Sequence, residues 1–406
     1  MSYESLGKLY YKDPEHYHEK YIVRFQNSDA FHLDIKIGEN DAFYLETSEV
    51  LHKIISIREK EKQLLILRKH LPGVALRQFS LRCLIDEIVV TNDIEGVSST
   101  RRDISDILDN AEKNDRKKRF RGLVQKYLLL GDSSSNPLAL STCQDIRNIY
   151  DELVLEEIKE DDPDNLPDGK IFRREVVYVY SGTQKIIHTG LYPESVIEDA
   201  MKKALGFLHN ETIHPLIRIS IFHYLFGYIH PFYDGNGRTS RFISSYLLSQ
   251  KIDSLLGYRL SATIKENTAE YYRIFKTCND PRNLGDLTPF LLFFLNIIQT
   301  ASNQLFEALS RRSFDLDHYS QKLHSIPLVE QNSALFKLGY YLLQAELFSE
   351  EGISLQELLD EMDVSRTTLH NKLETFHSMH LLVEQKRGKR KFYKLDIKTL
   401  EQLSSF

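Results

Sequence analysis

Through most of the chain, apolar positions recur three and four apart, the spacing of helices that bury one face. One such run extends from about Glu46 to Lys69 and is broken at Pro72-Gly73. The next, roughly Leu76 to Glu95, aligns Leu81, Leu84, Ile85 and Ile88 on one stripe and stops at Gly96, a residue suited to a helix C-terminus. Helical patterns follow up to Leu130 and over Cys143–Ile158, Pro193–Asn210, His214–Ile229 and Thr268–Asn279, and an apolar run ends near Ile298. Alternation with period two is confined to short pieces: Phe31–Ile37 and Ala42–Leu45 around Gly38-Glu39-Asn40-Asp41, and Val176–Tyr180 and Lys185–His188 around Ser181-Gly182-Thr183. The fold class is therefore mainly α, with small hairpins. In such a protein the exposed edge of the second hairpin is either a hazard or a docking strip.

The stretch His230-Pro231-Phe232-Tyr233-Asp234-Gly235-Asn236-Gly237-Arg238-Thr239-Ser240-Arg241 fits none of these patterns. Gly235, Asn236 and Gly237 form a turn of low steric demand, whose successive backbone N–H groups converge on an anion. A helix starts at about Gly237, and its N-terminus adds a positive dipole. Arg238 and Arg241 share one face of its first turn and repel each other unless an anion separates them; two phosphoryl groups would do so. Asp234 is the only carboxylate of the stretch and suits a single protein ligand to Mg²⁺ that takes its other oxygens from phosphates and water. His230 ends the preceding helical run and is the one group here that works as a base near neutral pH. The stretch lacks the lysine and spacing of a Walker loop and is not an HExxH zinc site.

These twelve residues match the pattern HPFx(D/E)GNGRxxR of the Fic family at every position, and the chain resembles that family over about residues 80 to 300. The resemblance implies a Fic-type helical bundle and a protein adenylyltransferase that moves AMP from ATP to a Ser, Thr or Tyr hydroxyl of a target protein, or of the chain itself. On that reading His230 deprotonates the target, Asp234 holds Mg²⁺, and Gly235, Asn236 and Gly237 form the anion hole. Arg238 holds the β-phosphate region and Arg241 the γ-phosphate. The second hairpin becomes a flap over His230, with Ile187, His188 and Thr189 on it. Either Tyr271 or Tyr272 stacks on adenine, or both pack in the core. His223, one heptad before His230, is expected to be a core residue.

Asp93 and Glu95 lie at the C-terminal end of their helix, oppose its dipole and call for cationic partners. Thr91 to Gly96 also fits the pattern (S/T)xxxE(G/N), which in the Fic family marks an inhibitory helix. The resemblance implies that Glu95 pairs with Arg241 and denies the γ-phosphate its arginine; in some members the same glutamate supports removal of AMP.

Beyond residue 330 the character changes. Ser354-Leu355-Gln356-Glu357 is a capping box before a stripe of Leu355, Leu358, Leu359 and Met362, and Ser365 caps a second helix carrying Leu369, Leu373 and Phe376. Two strands with a basic tip follow, so this part resembles a winged helix-turn-helix domain. Arg366, Thr367, Thr368 and Asn371 would face DNA bases and phosphates, with Lys386, Arg387, Lys389 and Arg390 on the wing. The expected division is 1–75 as an N-terminal region, 76–305 as the catalytic core, 306–330 as a linker and 331–406 as the winged helix. The alternative function is a transcription regulator or toxin-related control protein that binds DNA, its Fic domain sensing nucleotide or modifying itself.

Composition narrows this little. At 42% apolar and 27% charged over 406 residues the chain is an ordinary globular protein of two or three domains, and a net charge of −6 confines nucleic-acid contact to a local basic patch. Cys83, Cys143 and Cys278 are too few and too scattered for a disulfide framework or a cysteine zinc site, and a reducing compartment fits them. The acidic run Glu160–Asp164 lacks the glycine and distal glutamate of a calcium loop. Met1 to Tyr21 shows no signal-peptide pattern, and the run Phe290–Ile298 is too short to cross a membrane. The expectation is a cytoplasmic protein without a membrane partner, for which a homodimer is open.

Overall fold

The computed structural model describes residues 3–109, 119–131, 137–180, 186–388 and 390–403. These residues are mostly helical, with three small antiparallel sheets among them. The chain forms two compact units: Met1–Glu61 with Leu84–Asn303, and Lys62–Cys83 with Gln304–Phe406.

In the first unit the helix Pro215–Ile229 is apolar on all sides and buried on all sides, as expected of a helix with neighbours all round. Pro215 takes the first helical position, where its missing N–H costs nothing, and the His214 ring accepts from the Leu216 N–H. The helices Glu194–Leu208 and Asn236–Lys251 pack against it. The N-terminal hairpin, Ala30–Ile37 with Asn40–Leu45, closes at Ile37 opposite Asn40, with Gly38 at a positive φ of 60°. Its Phe43 exchanges backbone hydrogen bonds with Gly285 O (3.0 Å) and Leu287 N (2.7 Å). The tyrosine-rich start of the chain, which carried no legible role, folds into the helices Leu6–Lys12 and Tyr17–Phe25 and buries Leu6 and Leu9 against Phe43 and Leu45. The Tyr3 hydroxyl donates to buried Asp286 at 2.6 Å, and Arg24 reaches the same carboxylate at 3.2 Å.

Two helices depart from expectation. The Cys143–Ile158 pattern is split into Cys143–Tyr150, a wide turn of π-type at Asp151–Leu155, and Glu156–Asp161. Such a turn shifts the helical phase of the residues on its C-terminal side, and Glu157 lies just beyond it. The apolar run expected to end near Ile298 continues as one helix, Thr288–His324, because Ala301, Leu305, Leu309, Leu316 and Leu323 keep a buried face with no breaker among them. The stretch 306–330, expected as a linker, is therefore helical to His324 and again at Pro327–Glu330.

In the second unit the helix Ser333–Phe348 buries Leu335, Leu338, Leu342, Leu343 and Phe348. A three-stranded sheet follows in the order Ile353–Ser354, Arg390–Leu395, Leu382–Arg387, with the helices Leu355–Met362 and Arg366–Ser378 between its strands in sequence. Both expected caps form. Ser354 and Glu357 make the reciprocal box, and Ser365 Oγ accepts from the Thr368 N–H at 3.2 Å.

Candidate functional site

Phe232 anchors the loop that carries the unusual residues. It is fully buried, stacked on Tyr150 at 3.7 Å between ring centroids and edge-on to Phe172. The Asn236 side chain then pins the loop, accepting from Phe232 N at 3.0 Å and donating to Phe232 O at 2.7 Å. Gly235 turns the chain with a φ of 76°, close against Val154 and Tyr150, and the helix Asn236–Lys251 begins. Its first N–H groups have no intrahelical partners, so the turn ends at a positive helix pole.

On the other side of the loop, His230 closes the preceding helix in the left-handed region, at φ 53°. Its carbonyl accepts from Arg173 Nε at 3.0 Å. The half-buried ring loses most of its hydration, and with His188 and Arg173 nearby its pKa is pushed down to about 3, against a bond to the Gly227 carbonyl. The imidazole is therefore neutral over the whole physiological range, as a proton acceptor must be.

One cleft joins these parts. It is lined by His230, Asn236, Gly237, Ser240 and Arg241 from the loop and its helix, by Tyr271, Tyr272, Phe275, Lys276 and Asn279 from the helix Thr268–Asn279, and by Glu95, Val179, Gly227 and His188. Arg241 is almost wholly buried and spends its guanidinium on the helix Gly73–Ile94 and the residue after it. Nε donates to Thr91 Oγ1 at 2.9 Å, and Nη2 reaches both Thr91 O at 3.0 Å and Glu95 Oε1 at 2.7 Å. Asp93, the other acid of that helix end, meets Lys265 at 3.0 Å.

Arg238 is placed differently from Arg241. It is fully buried, does not line the cleft, and pairs with Glu157 at 2.5 Å, with Asp234 3.7 Å away. Nη1 takes the Glu157 carboxylate, while among the described residues Nε and Nη2 have no hydrogen-bond partner, so two of its donors stay unspent. Asp234 and Gly235 also stand outside the cleft lining. Asp234 Oδ1 accepts from the Gly235 N–H at 2.5 Å, and its side chain is 42% exposed. Among the described residues no cluster of three or more His, Cys, Asp or Glu is arranged to hold a metal. A lone, half-exposed carboxylate still fits a hard cation whose remaining ligands are phosphate and water oxygens.

Tyr271 turns its hydroxyl into the core, 2.8 Å from His223 Nε2, while Ser244 Oγ, itself donating to Ser240 O, lies 2.8 Å from His223 Nδ1. The ring is thus the Nδ1–H tautomer and accepts from Tyr271. His223 is the core residue its pattern implies. Tyr272 is 42% exposed and available to a ligand face.

The strands of the second hairpin are Tyr178–Tyr180 and Ile186–Thr189, with Val179 opposite His188. The hairpin tip, 181–185, and the side chain of Ile187 lie outside the described residues. His188 is tied down on both ring nitrogens: Nε2 lies 2.7 Å from the Tyr228 carbonyl, and Nδ1 is 3.2 Å from Asn279 Nδ2. Since a carbonyl only accepts and an amide nitrogen only donates, the ring is neutral with its proton on Nε2. Asn279, a lining residue that sequence reasoning missed, completes the chain by accepting from Tyr224 Oη at 2.7 Å. Glu157 was also missed. No motif spacing pointed to either residue, because both act through contacts distant in sequence. Thr189 pairs with Tyr178 and does not line the cleft.

Of the basic and polar residues expected to meet DNA, Arg366, Thr367, Thr368 and Asn371 are exposed on the first turns of their helix, and Lys386 and Arg390 are exposed on the hairpin. Arg387 is not available in that way, since it is ion-paired with Glu351 and packed over the Phe392 ring. Lys389 lies outside the described residues. No helix among the described residues is long and apolar enough to cross a membrane.

Comparison with known proteins agrees on one family. The Fic/DOC family profile matches residues 140–248. Among curated proteins, the chain is similar to Protein adenylyltransferase Fic of Drosophila sechellia and of Drosophila melanogaster, 33% identical in each case over 126 residues, which is 31% of this chain and 23% of theirs. The chain thus spans less than a quarter of the length of the curated relatives it matches. Among solved structures, a Fic family protein from Desulfovibrio desulfuricans superposes with a TM-score of 0.52 at 21% identity, over 87% of this chain and 97% of that one. That likeness speaks for the fold.

Proposed function

We propose that this chain, which belongs to the Fic/DOC family, transfers AMP from ATP to a hydroxyl side chain of a protein and is held in check by its own Glu95. Neutral His230 takes the hydroxyl proton as the oxygen attacks the α-phosphorus. The bond from that phosphorus to the bridging oxygen breaks, and pyrophosphate leaves. The first N–H groups of the Asn236–Lys251 helix face the phosphates, and Arg241 meets the terminal phosphate once Glu95 gives it up. Asp234 would hold Mg²⁺, which neutralises phosphate charge when bound. Tyr272 offers a face to the adenine, and the flap aligns the target segment over His230. The work is positioning and charge neutralisation, the usual demand of transfer to phosphorus.

The observation that carries this reading is that the base and Arg241 open into one cleft while an acid of the same chain occupies that arginine. The same acid suits removal of AMP by hydrolysis: it takes a proton from water as the water oxygen attacks the phosphorus, the bond from phosphorus to the target oxygen breaks, the target hydroxyl regains a proton from His230, and AMP leaves. The test is labelling by ATP that carries its label on the α-phosphate, with Mg²⁺, of the protein itself and of a cell lysate. Strong label with Glu95→Gly, weak label with the wild type and none with His230→Ala is expected; equal label with and without His230 overturns the reading.

For the second unit we propose a winged helix that binds DNA, favoured by the exposed row Arg366, Thr367, Thr368 and Asn371 and by exposed Lys386 and Arg390. A DNA fragment should be retarded at low salt, less so at high salt, and less by Lys386→Glu. No retardation at low salt removes this reading and leaves a role in protein contacts.

A further inference from the structure

Glu87 lies on the same helix as Thr91, two turns before Glu95, so positions 87, 91 and 95 share one face. Their partners on the helix Asn236–Lys251 recur at the same interval in the opposite direction. Ser245 Oγ donates to Glu87 at 3.3 Å, Arg241 bonds Thr91, and the Glu95 carboxylate lies so close over Gly237 that a β-carbon there would collide with it. The two segments thus form a ladder of three rungs, of which the outer two govern Arg241.

The deepest rung is chemically unlike an ordinary core contact. Glu87 is fully buried, yet it has no cation in hydrogen-bond contact among the described residues. Instead its carboxylate caps the start of the Leu260–Glu266 helix. It accepts from Ser261 N at 3.0 and 2.9 Å and from Ser261 Oγ at 2.5 Å. An apolar side chain would fill this space without the desolvation cost of a carboxylate. Such a carboxylate binds the helix to a fixed place along its own axis, which apolar packing does less sharply.

We propose that Glu87 is a positioning residue of the inhibitory clamp: its carboxylate fixes the register of the Gly73–Ile94 helix on the Asn236–Lys251 helix, and through that register keeps Thr91 and Glu95 on Arg241. This rests on the reading of Glu95 as inhibitor. The groups facing Glu87 are Ser245 and Arg241 from the motif helix, Ser261 and Arg259 from and beside the Leu260–Glu266 helix, and Tyr127 from the helix Arg121–Leu128. Burial raises the Glu87 pKa to about 7, against the Ser261 bonds and the charges of Arg241 and Arg259. Above that pH the carboxylate is charged and adds to the hold on Arg241; below it the charge is gone and the clamp loosens.

The experiment measures the initial rate of self-labelling from α-labelled ATP for wild type, Glu87→Gln, Glu95→Gly and the double variant, at pH 8 and pH 6. Glutamine keeps the shape and an acceptor for Ser261 N. Glu87→Gln is expected to label at least threefold faster than wild type at pH 8, while the double variant labels no faster than Glu95→Gly. The ratio of Glu95→Gly to wild type should shrink from pH 8 to pH 6, and the corresponding ratio in the Glu87→Gln background should not. If Glu87→Gln lowers labelling equally with and without Glu95, the residue only packs and the proposal is overturned. If Glu95→Gly alone fails to exceed wild type, the inhibitor reading falls first, and that variant shows it without reference to Glu87. Should Glu87→Gln not fold, Ser261→Ala removes one donor to the same carboxylate and must raise labelling in the Glu95 background; no rise counts against the proposal.

Discussion

Glu95 Oε1 sits 2.7 Å from Arg241 Nη2, and Arg241 is only 1% exposed in that embrace. The arginine is therefore satisfied without any ligand, and a phosphate that needs it must first displace an acid of the same chain. Thr91 shares the hold through its hydroxyl and its carbonyl. Thr91→Val keeps the shape and removes the hydroxyl acceptor, leaving Arg241 Nε without it. The expected result is a stability loss of about 1–3 kcal/mol in chemical denaturation, with a several-fold faster labelling rate that disappears in the Glu95→Gly background.

Gly235 is the residue whose backbone no other side chain suits, with φ at 76° and Val154 Cγ2 only 2.9 Å from where a β-carbon would stand. Gly235→Ala is expected to cost about 1–3 kcal/mol of stability from backbone strain and crowding. It should also weaken ATP binding, since the same turn aims the helix N-terminus; calorimetric titration with ATP would register an unchanged affinity as a failure of this view.

Glu157 and Arg238 form a buried ion pair. Removing one partner leaves the other charge buried, at a cost of about 3–5 kcal/mol, whereas removing both for apolar side chains is often tolerated. Glu157→Ala should accordingly melt well below wild type, and Glu157→Leu with Arg238→Met should recover much of the difference. Equal melting of wild type and Glu157→Ala would place Arg238 elsewhere in solution.

His223 is buried with its pKa pushed down to about 3, mainly by desolvation and then by the Arg241 charge. The unfolded chain binds a proton at this site below about pH 6.5 and the folded chain does not. Stability is thus fully present above that value and falls as the pH drops toward 3, with a slope of up to about 1.4 kcal/mol per pH unit from this group. Denaturation midpoints between pH 7 and pH 5 should fall in the wild type and fall less in His223→Gln.

Much of the site was legible because its chemistry is local. The turn at Gly235, the helix beginning beside it and the basic residues of its first turn depend on a few adjacent residues, and they appear at the expected places. The same holds for the capping box of Ser354 and Glu357 and for the hairpin closing at Gly38. The wide turn after Tyr150 was not legible, because no breaker or special residue stands in residues 151–155 to mark it.

The sequence by itself determined the helical class, the position of the loop, the place of His230 at the end of its helix and the demand of Asp93 and Glu95 for cations, since periodicity, turn chemistry and helix dipoles act over a few residues. Only the tertiary structure decided which cations those acids receive: Lys265 for Asp93 and Arg241 for Glu95. It also paired Arg238 with Glu157, and it set the Glu87 carboxylate on Ser261. A charge in sequence specifies that a partner is needed; its choice depends on which side chains, a hundred or more residues away, are brought within a few ångströms by the burial of apolar faces.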